Sequence, residues 1–407
     1  MKKLLISCYL VLTILYSAVY SQDIDYRVYS AINQVNEDTL ISNLKKLTGE
    51  VPVTLSAGPV LISSRHSSTV GNAYAAAWLR NRLASLGLDT YTQDFESNGQ
   101  NIYAVQPGKD LPNQQVIICA HYDNMPFSNI AAGADDNASG TIAVLEAARI
   151  LSKFKTKYTI IYAFFDHEEQ GLLGSKYYAH QAYLRKDSIV AVINLDMIGY
   201  DGNNDSKAGL HVRNSGKSID LGETIKTVNK NYNTGLNLIL ENPGSAASDH
   251  ASFWAYFITA VMLIEDLYTD KNPWYHTSAD IMEKMNIPYY LKCTKLAIGS
   301  LAKVAGVLSE THVIADIPKK FELYQNYPNP FNPTTTIKYS LDESMQVKLV
   351  VYDQLSQEIA VLVNAAQNSG YHEIPFKTED LNISSGIYFY ALYAGNSFSV
   401  KKMVVAK

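Results

Sequence analysis

The chain has 407 residues, 47% hydrophobic and 18% charged, which supplies apolar material for one large globular domain and one small one. A formal net charge of -5 excludes a basic protein built to hold nucleic acid. No Lys/Arg cluster beyond the N-terminus points to an anionic membrane surface.

Lys2 and Lys3 precede an apolar stretch over residues 4–19, and small residues surround Ser21. This three-part layout predicts a signal peptide over residues 1–21, cleaved to leave Gln22 first. The stretch is shorter than the roughly 20 residues that span a bilayer, so no stable membrane insertion is expected after cleavage. Residues 23–47 read as helix, and 51–68, with Pro52, Gly58 and Pro59, as loop. Helical periodicity follows over 72–86, with Asn72 as N-cap and Gly87 as stop. Strands are expected over 88–95, 102–105, 116–121, 158–165, 189–195 and 260–264. Helices are expected over 139–154, 172–180, from 250 to 256, and over 287–308. The runs at 116–121 and 158–165 are apolar throughout, as in strands covered on both faces. The alternation predicts an α/β domain over 22–310, a mostly parallel central sheet flanked by helices. Cys119 falls in a strand and Cys293 in a helix, so both read as buried thiols, with a disulfide between them left open.

A polar linker is expected over 311–320. Beyond it, Tyr327-Pro328-Asn329-Pro330-Phe331 cannot be helical. Short alternating strands at 335–341, 347–352, 358–363, 371–376, 386–393 and 397–405 predict a small all-β sandwich over 321–407.

The informative feature is where acids and imidazoles fall. His121-Tyr122-Asp123, Asp166-His167-Glu168-Glu169 and Asn194-Leu195-Asp196-Met197 each end a predicted strand. Open α/β sheets place their sites at that edge. Gly133-Ala134-Asp135-Asp136-Asn137-Ala138-Ser139-Gly140 leads into a helix, and Tyr275-His276-Thr277 precedes the last one. Carboxylates crowded together repel one another and lose solvation, so the cluster needs divalent cations to offset it. Two imidazoles and three carboxylates form an N/O ligand set that suits zinc. Two such ions balance three carboxylates and a hydroxide.

Other motifs fail. His167-Glu168 lacks the second histidine of a zincin, since Gly171 stands four residues on. Gly216-Lys217-Ser218 has the wrong spacing for a phosphate loop, and no Gly-x-Ser-x-Gly elbow occurs. Asp249, in Ser248-Asp249-His250, reads either as a helix cap or as part of a hydrogen-bond network beside the site. His250 reads as structural, and His66, His180, His211, His312 and His372 as solvated.

Over residues 44–308 these motifs resemble the M28 family of co-catalytic zinc peptidases, its bacterial secreted aminopeptidases especially. The resemblance implies two Zn(2+) ions, peptide substrates and cleavage at the free amino end. Asp135 would bridge both metals, with a cis bond to Asp136. Glu169 and His276 would complete one metal site, and Asp196 and His121 the other. Glu168 would be the general base, and Asp123 would accept the other ring N–H of His121. Tyr275 would help hold the oxyanion. Segments 199–214 and 241–247 would be loops around the substrate pocket. A mono-zinc glutaminyl cyclase and a carboxypeptidase, with Arg213 as a carboxylate contact, are the alternatives on this fold. Tyr327 to Phe331, Ser385-Gly386-Ile387-Tyr388 and Lys401-Lys402-Met403-Val404-Val405 resemble a type IX secretion sorting domain. That resemblance implies the type IX machinery as partner, and a secreted or cell-surface location.

Overall fold

The computed structural model describes residues 24–308 and 321–406, apart from 96–97, 129, 344, 368–369, 379–380, 382 and 396. The expected signal peptide, 1–21, and linker, 311–320, lie outside the described residues. The chain divides into two compact units, Met1–Leu308 and Ser309–Lys407.

The first unit opens with two helices where one was expected, α1 (Tyr26–Asn33) and α2 (Glu37–Leu47). Asn36 divides them: its backbone is extended and its side chain accepts from the Thr39 N–H, a cap that starts a new helix. The segment read as loop carries a hairpin, β1 (Val53–Leu55) and β2 (Gly58–Val60). Helix α3 (Val70–Ser85) starts after Thr69, so Asn72 lies inside it rather than capping it. There Asn72 donates to Asp166 Oδ1 at 2.8 Å.

The elements that follow are β3 (Asp89–Phe95), β4 (Gly99–Gln106), β5 (Leu111–His121), α4 (Gly140–Leu151), β6 (Tyr158–Phe165), α5 (Leu173–Arg185) and β7 (Ser188–Leu195). Then come β8 (Lys207–His211), α6 (Ser218–Tyr232), β9 (Asn237–Glu241), α7 (His250–Trp254), β10 (Ala260–Glu265) and α8 (Ile287–Ala305). The sequence reading missed β8, α6 and β9. The two strands are five residues each and half-polar, so neither shows the long apolar run that marks a covered strand.

Eight strands form one sheet in the order β3-β4-β6-β5-β7-β10-β8-β9. The centre, β6-β5-β7-β10, is parallel throughout. Along β5 the side chains alternate between two cores. Val116, Ile118 and Ala120 join the large one with α3, α4 and α8, while Ile117 and Cys119 join the smaller one with α5 and α7. Burial on both faces explains the unbroken apolar run. Cys119 and Cys293 are both buried and free. The register sets His121 opposite Phe165 and Cys119 opposite Asn194. The residues that leave β5, β6 and β7 therefore emerge at one sheet edge.

The second unit is all antiparallel: β11 (Glu322–Leu323), β12 (Thr334–Leu341), β13 (Met345–Tyr352), β14 (Glu358–Gln367), β15 (Gly370–Lys377), β16 (Gly386–Ala394) and β17 (Ser397–Val405). They form sheets of order β11-β12-β15 and β14-β13-β16-β17 around a core that includes Phe331, Tyr339, Phe376 and Tyr390. The proline-rich segment is tied to the final strand. Asn329 Oδ1 accepts from the Val404 N–H at 2.8 Å, and the Phe331 N–H donates to Val404 O at 3.1 Å.

Candidate metal centre at the sheet edge

The parallel strands deliver the site in pieces. His121 ends β5, Glu168 and Glu169 follow β6, Asp196 follows β7, and His276 stands in the loop before α8. Around His121 Nε2 lie Asp196 Oδ1 at 3.3 Å, Asp136 Oδ1 at 3.4 Å and Glu168 Oε2 at 4.0 Å. Around His276 Nε2 lie Glu169 Oε2 at 2.8 Å and Asp136 Oδ2 at 3.2 Å. The two oxygens of the Asp136 carboxylate thus face one imidazole each.

This corrects the sequence reading in one position. Asp135 was expected between the imidazoles, and the structure puts Asp136 there. Asp136 and Asn137 both leave helical geometry, Asp136 being extended at φ -106° and ψ 96°, and successive side chains along extended backbone point to opposite sides. Asp135 therefore faces away. Its carboxylate accepts from the Gly199 N–H at 2.7 Å and from Asn272 Nδ2 at 2.9 Å, tying the exit of β7 to the loop before His276. The cis peptide bond likewise lies at Asp136–Asn137, one bond later than expected. Two glycines permit the turn. Gly133 has φ 50°, where a side chain is strained, and a Cβ on Gly140 would sit 2.5 Å from Leu195 O.

Asp123 holds three site residues at once. Its carboxylate accepts from the backbone N–H groups of Glu168 and Glu169 at 3.1 and 3.3 Å, and lies 3.5 Å from His121 Nδ1. Asp280, which sequence reasoning missed, accepts from the Asp135 and Asp136 N–H groups. Its place four residues after His276 was the available signal. Arg65 gave no signal at all. It is 0% exposed, and its guanidinium donates to the carbonyls of Tyr122, Leu47, Ala132 and Gly133. It clamps both ligand-bearing loops from behind. Burial lowers its pKa to about 10, although the charges of Asp280, Asp136, Asp123 and Glu169 oppose that fall, so it remains a cation at neutral pH.

The acidic excess shows in the protonation of the site. Burial raises Glu168 well above the usual carboxylate range, and Asp196, Asp249 and Glu169 push the same way, against the opposing pull of His121. Burial and Asp136 raise Glu169 to about 7. Burial disfavours charge on His276, yet its bonds to Asp136 and Glu169 lift its pKa to about 9. These raised pKa values mark a cluster that is short of positive charge. Glu169 Oε1 is buried with no hydrogen-bond partner. His121, Asp136 and Glu169 form one group whose ligand atoms lie within 4.8 Å of one another, and His121, Glu168 and Asp196 form a second. An orphaned carboxylate oxygen among converging N and O donors fits divalent metal.

Beside these groups is a cavity of about 110 Å³. Met197, Met262, Ile264 and Leu267 form its apolar wall, and Lys271, Ser245, Ala247 and Tyr275 complete the lining together with the ligand groups themselves. Tyr275 stacks on His276 with ring centroids 3.7 Å apart, and Lys271 Nζ lies 3.8 Å from the Tyr275 ring centroid. Asp249 is fully buried and makes no cap bond to α7, so the cap reading is not met. Burial raises its carboxyl to about 7. Arg213 lies over Trp254 at 4.7 Å and is not among the cavity's lining residues.

His211 was expected in solvent and is 1% exposed. Its Nδ1 accepts from the Ser245 N–H at 2.9 Å, and His250 Nε2 faces Ser245 O at 2.9 Å. Both histidines therefore fix the loop that lines the cavity. Burial lowers His211 to about 4 and His250 to about 3.

The chain matches Peptidase family M28 over residues 101–300 and the Secretion system C-terminal sorting domain over residues 325–406. A probable leucine aminopeptidase of Arthroderma otae is 30% identical over 229 residues, covering 54% of this chain and 60% of that protein. Leucine aminopeptidase 1 of Ajellomyces capsulatus is 30% identical over 264 residues, covering 60% of this chain and 67% of that protein. The chain thus spans less than two thirds of the first of these relatives. Among solved structures, the LapA aminopeptidase of Legionella pneumophila superposes with a TM-score of 0.62 at 24% identity, over 76% of this chain and 78% of that one. The chain belongs to peptidase family M28 and carries a C-terminal secretion sorting domain.

Two outcomes are expected. His211 has its pKa lowered in the fold, so the unfolded chain binds its proton first and stability falls as pH drops from about 6.5 toward 4. Urea titrations at several pH values should show His211→Gln losing stability less steeply than the unaltered protein, by up to ~1.4 kcal/mol per pH unit in that window. Arg65→Met should lower unfolding free energy by about 3 kcal/mol or more, because four buried carbonyls lose their donor and the nearby carboxylates their buried cation.

Proposed function

We propose that this protein is an exported aminopeptidase that works with two zinc ions. The observation that carries the reading is the Asp136 carboxylate, which offers one oxygen toward each imidazole. Glu169 and His276 would complete one metal position, and His121 and Asp196 the other, with Asp136 shared. The names of the family relatives, leucine aminopeptidases, support the same reaction.

When bound, the metal ions polarise the scissile carbonyl and lower the pKa of the attacking water. The residues of the chain do the rest. Glu168 stands beside His121 with its side chain 10% exposed. Held as a carboxylate by the charge of bound cations, it takes one proton from the attacking water as the C–O bond forms. It returns that proton to the departing nitrogen as the C–N bond breaks, which leaves it ready for another cycle. Asp123 holds the backbone of Glu168 and the ring of His121, so base and ligand keep their relative position. Burial and the surrounding carboxylates raise the Tyr275 pKa above its ordinary value, so the hydroxyl keeps its proton and can donate to the oxyanion.

Exopeptidase action fits the cavity. Carboxylates among its lining residues complement the ammonium of a free amino end. The small apolar wall of Met197, Met262, Ile264 and Leu267 suits one aliphatic side chain of the leucine kind. Export rests on the expected signal peptide at 1–21 and on the sorting domain at 325–406. Passage through the type IX machinery would place the enzyme at the cell surface or outside the cell.

The test pairs a metal count with turnover of leucyl anilide and its N-acetylated form. Two zinc ions per chain and cleavage of the free form only are the expected results; one ion with no cleavage overturns the reading. Glu168→Gln should keep both ions and lose several orders of magnitude in kcat. Asp136→Asn should weaken both metal positions together, whereas Asp135→Asn should leave two ions bound; the reverse pattern in metal analysis would restore Asp135 as the shared ligand.

A further inference from the structure

A second and larger concavity adjoins the metal centre. It has a volume of about 840 Å³, within the 300–1,000 Å³ or so of ordinary ligand pockets. Its walls come from α5 and from α7 with the turn that follows it: Leu173 and Tyr177 on one side, Ala251, Ala255 and Tyr256 on the other, with Phe95 at one end. These walls are fixed to each other. Ser175 Oγ lies 2.8 Å from Ser252 Oγ, and His180 Nδ1 lies 3.0 Å from the Tyr256 hydroxyl. Phe95 packs against Tyr177 at 6.0 Å and edge-on to His167 at 5.5 Å.

Chain continuity joins this groove to the catalytic cavity on two sides. Ser245 and Ala247 line the cavity, while Ala246 between them lines the groove. Glu168 and Glu169 line the cavity, and Leu172 and Leu173, one tight turn later, line the groove. That turn is closed by the Gly171 and Leu172 N–H groups, both 2.8 Å from Glu168 O. The residue that would return a proton to the departing nitrogen is therefore anchored in the wall shared with the groove.

We infer that the groove binds the part of the peptide that follows the scissile bond, and that it selects substrates with apolar or aromatic residues there. The inference rests on the aminopeptidase reading. The small cavity holds the first side chain, so the remaining residues must leave past Glu168, and this is the concavity that begins there. Exposed Leu173 and Tyr177, with Tyr256, present the rigid aromatic and aliphatic surface that peptide side chains cover at low entropic cost. Lys176 and His180 line the groove and no Asp or Glu does, so acidic residues or a nearby terminal carboxylate are compatible and basic residues are not favoured.

The experiment compares kcat/KM for Leu-Phe-Leu amide and Leu-Gly-Gly amide, which share the first residue and the type of bond cut. The zinc-loaded full chain should prefer the first by about tenfold or more, chiefly through KM. Ala255→Arg, which fills the groove from its exposed side, and Tyr177→Ala, which removes a wall, should each bring that ratio near one. A ratio near one in the unaltered protein, or an unchanged ratio in both variants, overturns the groove while leaving aminopeptidase action intact. No cleavage of either peptide by the unaltered protein overturns the aminopeptidase reading, and the groove falls with it.

Discussion

Four largely buried carboxylates, those of Asp136, Glu168, Glu169 and Asp196, surround two imidazoles, of which His121 is buried and His276 is partly exposed. Removing such a cluster from water is costly unless positive charge is supplied. The shortage of positive charge shows in the pKa values of the site, with His276 lifted to about 9 and Glu169 to about 7. Divalent cations supply that charge, and competition with protons at these groups makes metal uptake depend on pH. The surrounding architecture answers the same demand. Arg65 places a permanent cation behind the loops, while Asp123 and Asp280 hold the chain so that the carboxylates cannot spread apart.

The scaffold meets this demand because its central strands are parallel and in close register. Side chains from three strand ends reach one edge without any long loop to position them. The remaining contributors come from the turn before α4 and the loop before α8, and Asp135 links that turn to the exit of β7 and the Asn272 loop. Ser245, gripped by His211 and His250, extends the fixed geometry to the wall between cavity and groove.

In the second unit the recognisable stretches meet in space. The segment around Asn329 and Phe331 bonds to Val404, in the last strand. The first and last parts of the sorting domain thus form one edge, and a folded domain, rather than a linear tail, presents them together.

Much of the centre was legible in the sequence. His121, Glu168, Glu169 and Asp196 stand out because apolar runs mark covered strands and chemistry concentrates where such runs stop, whereas His276, in a loop, is picked out by the resemblance to the M28 family. The fold class followed from the same alternation. The choice between Asp135 and Asp136 could not be read, since adjacent identical residues differ only in the backbone angles that aim them, and packing sets those angles. Arg65 and His211 were invisible for a related reason. A buried polar side chain is defined by partners distant in sequence, here carbonyls and amides 18 to 68 residues away. Strands β8 and β9 escaped because short half-polar strands take their stability from neighbours rather than from local pattern. The sequence by itself determined which chemical groups the site would hold and that they would converge; the tertiary structure alone decided which carboxylate stands between the imidazoles, because only packing fixes where a side chain points.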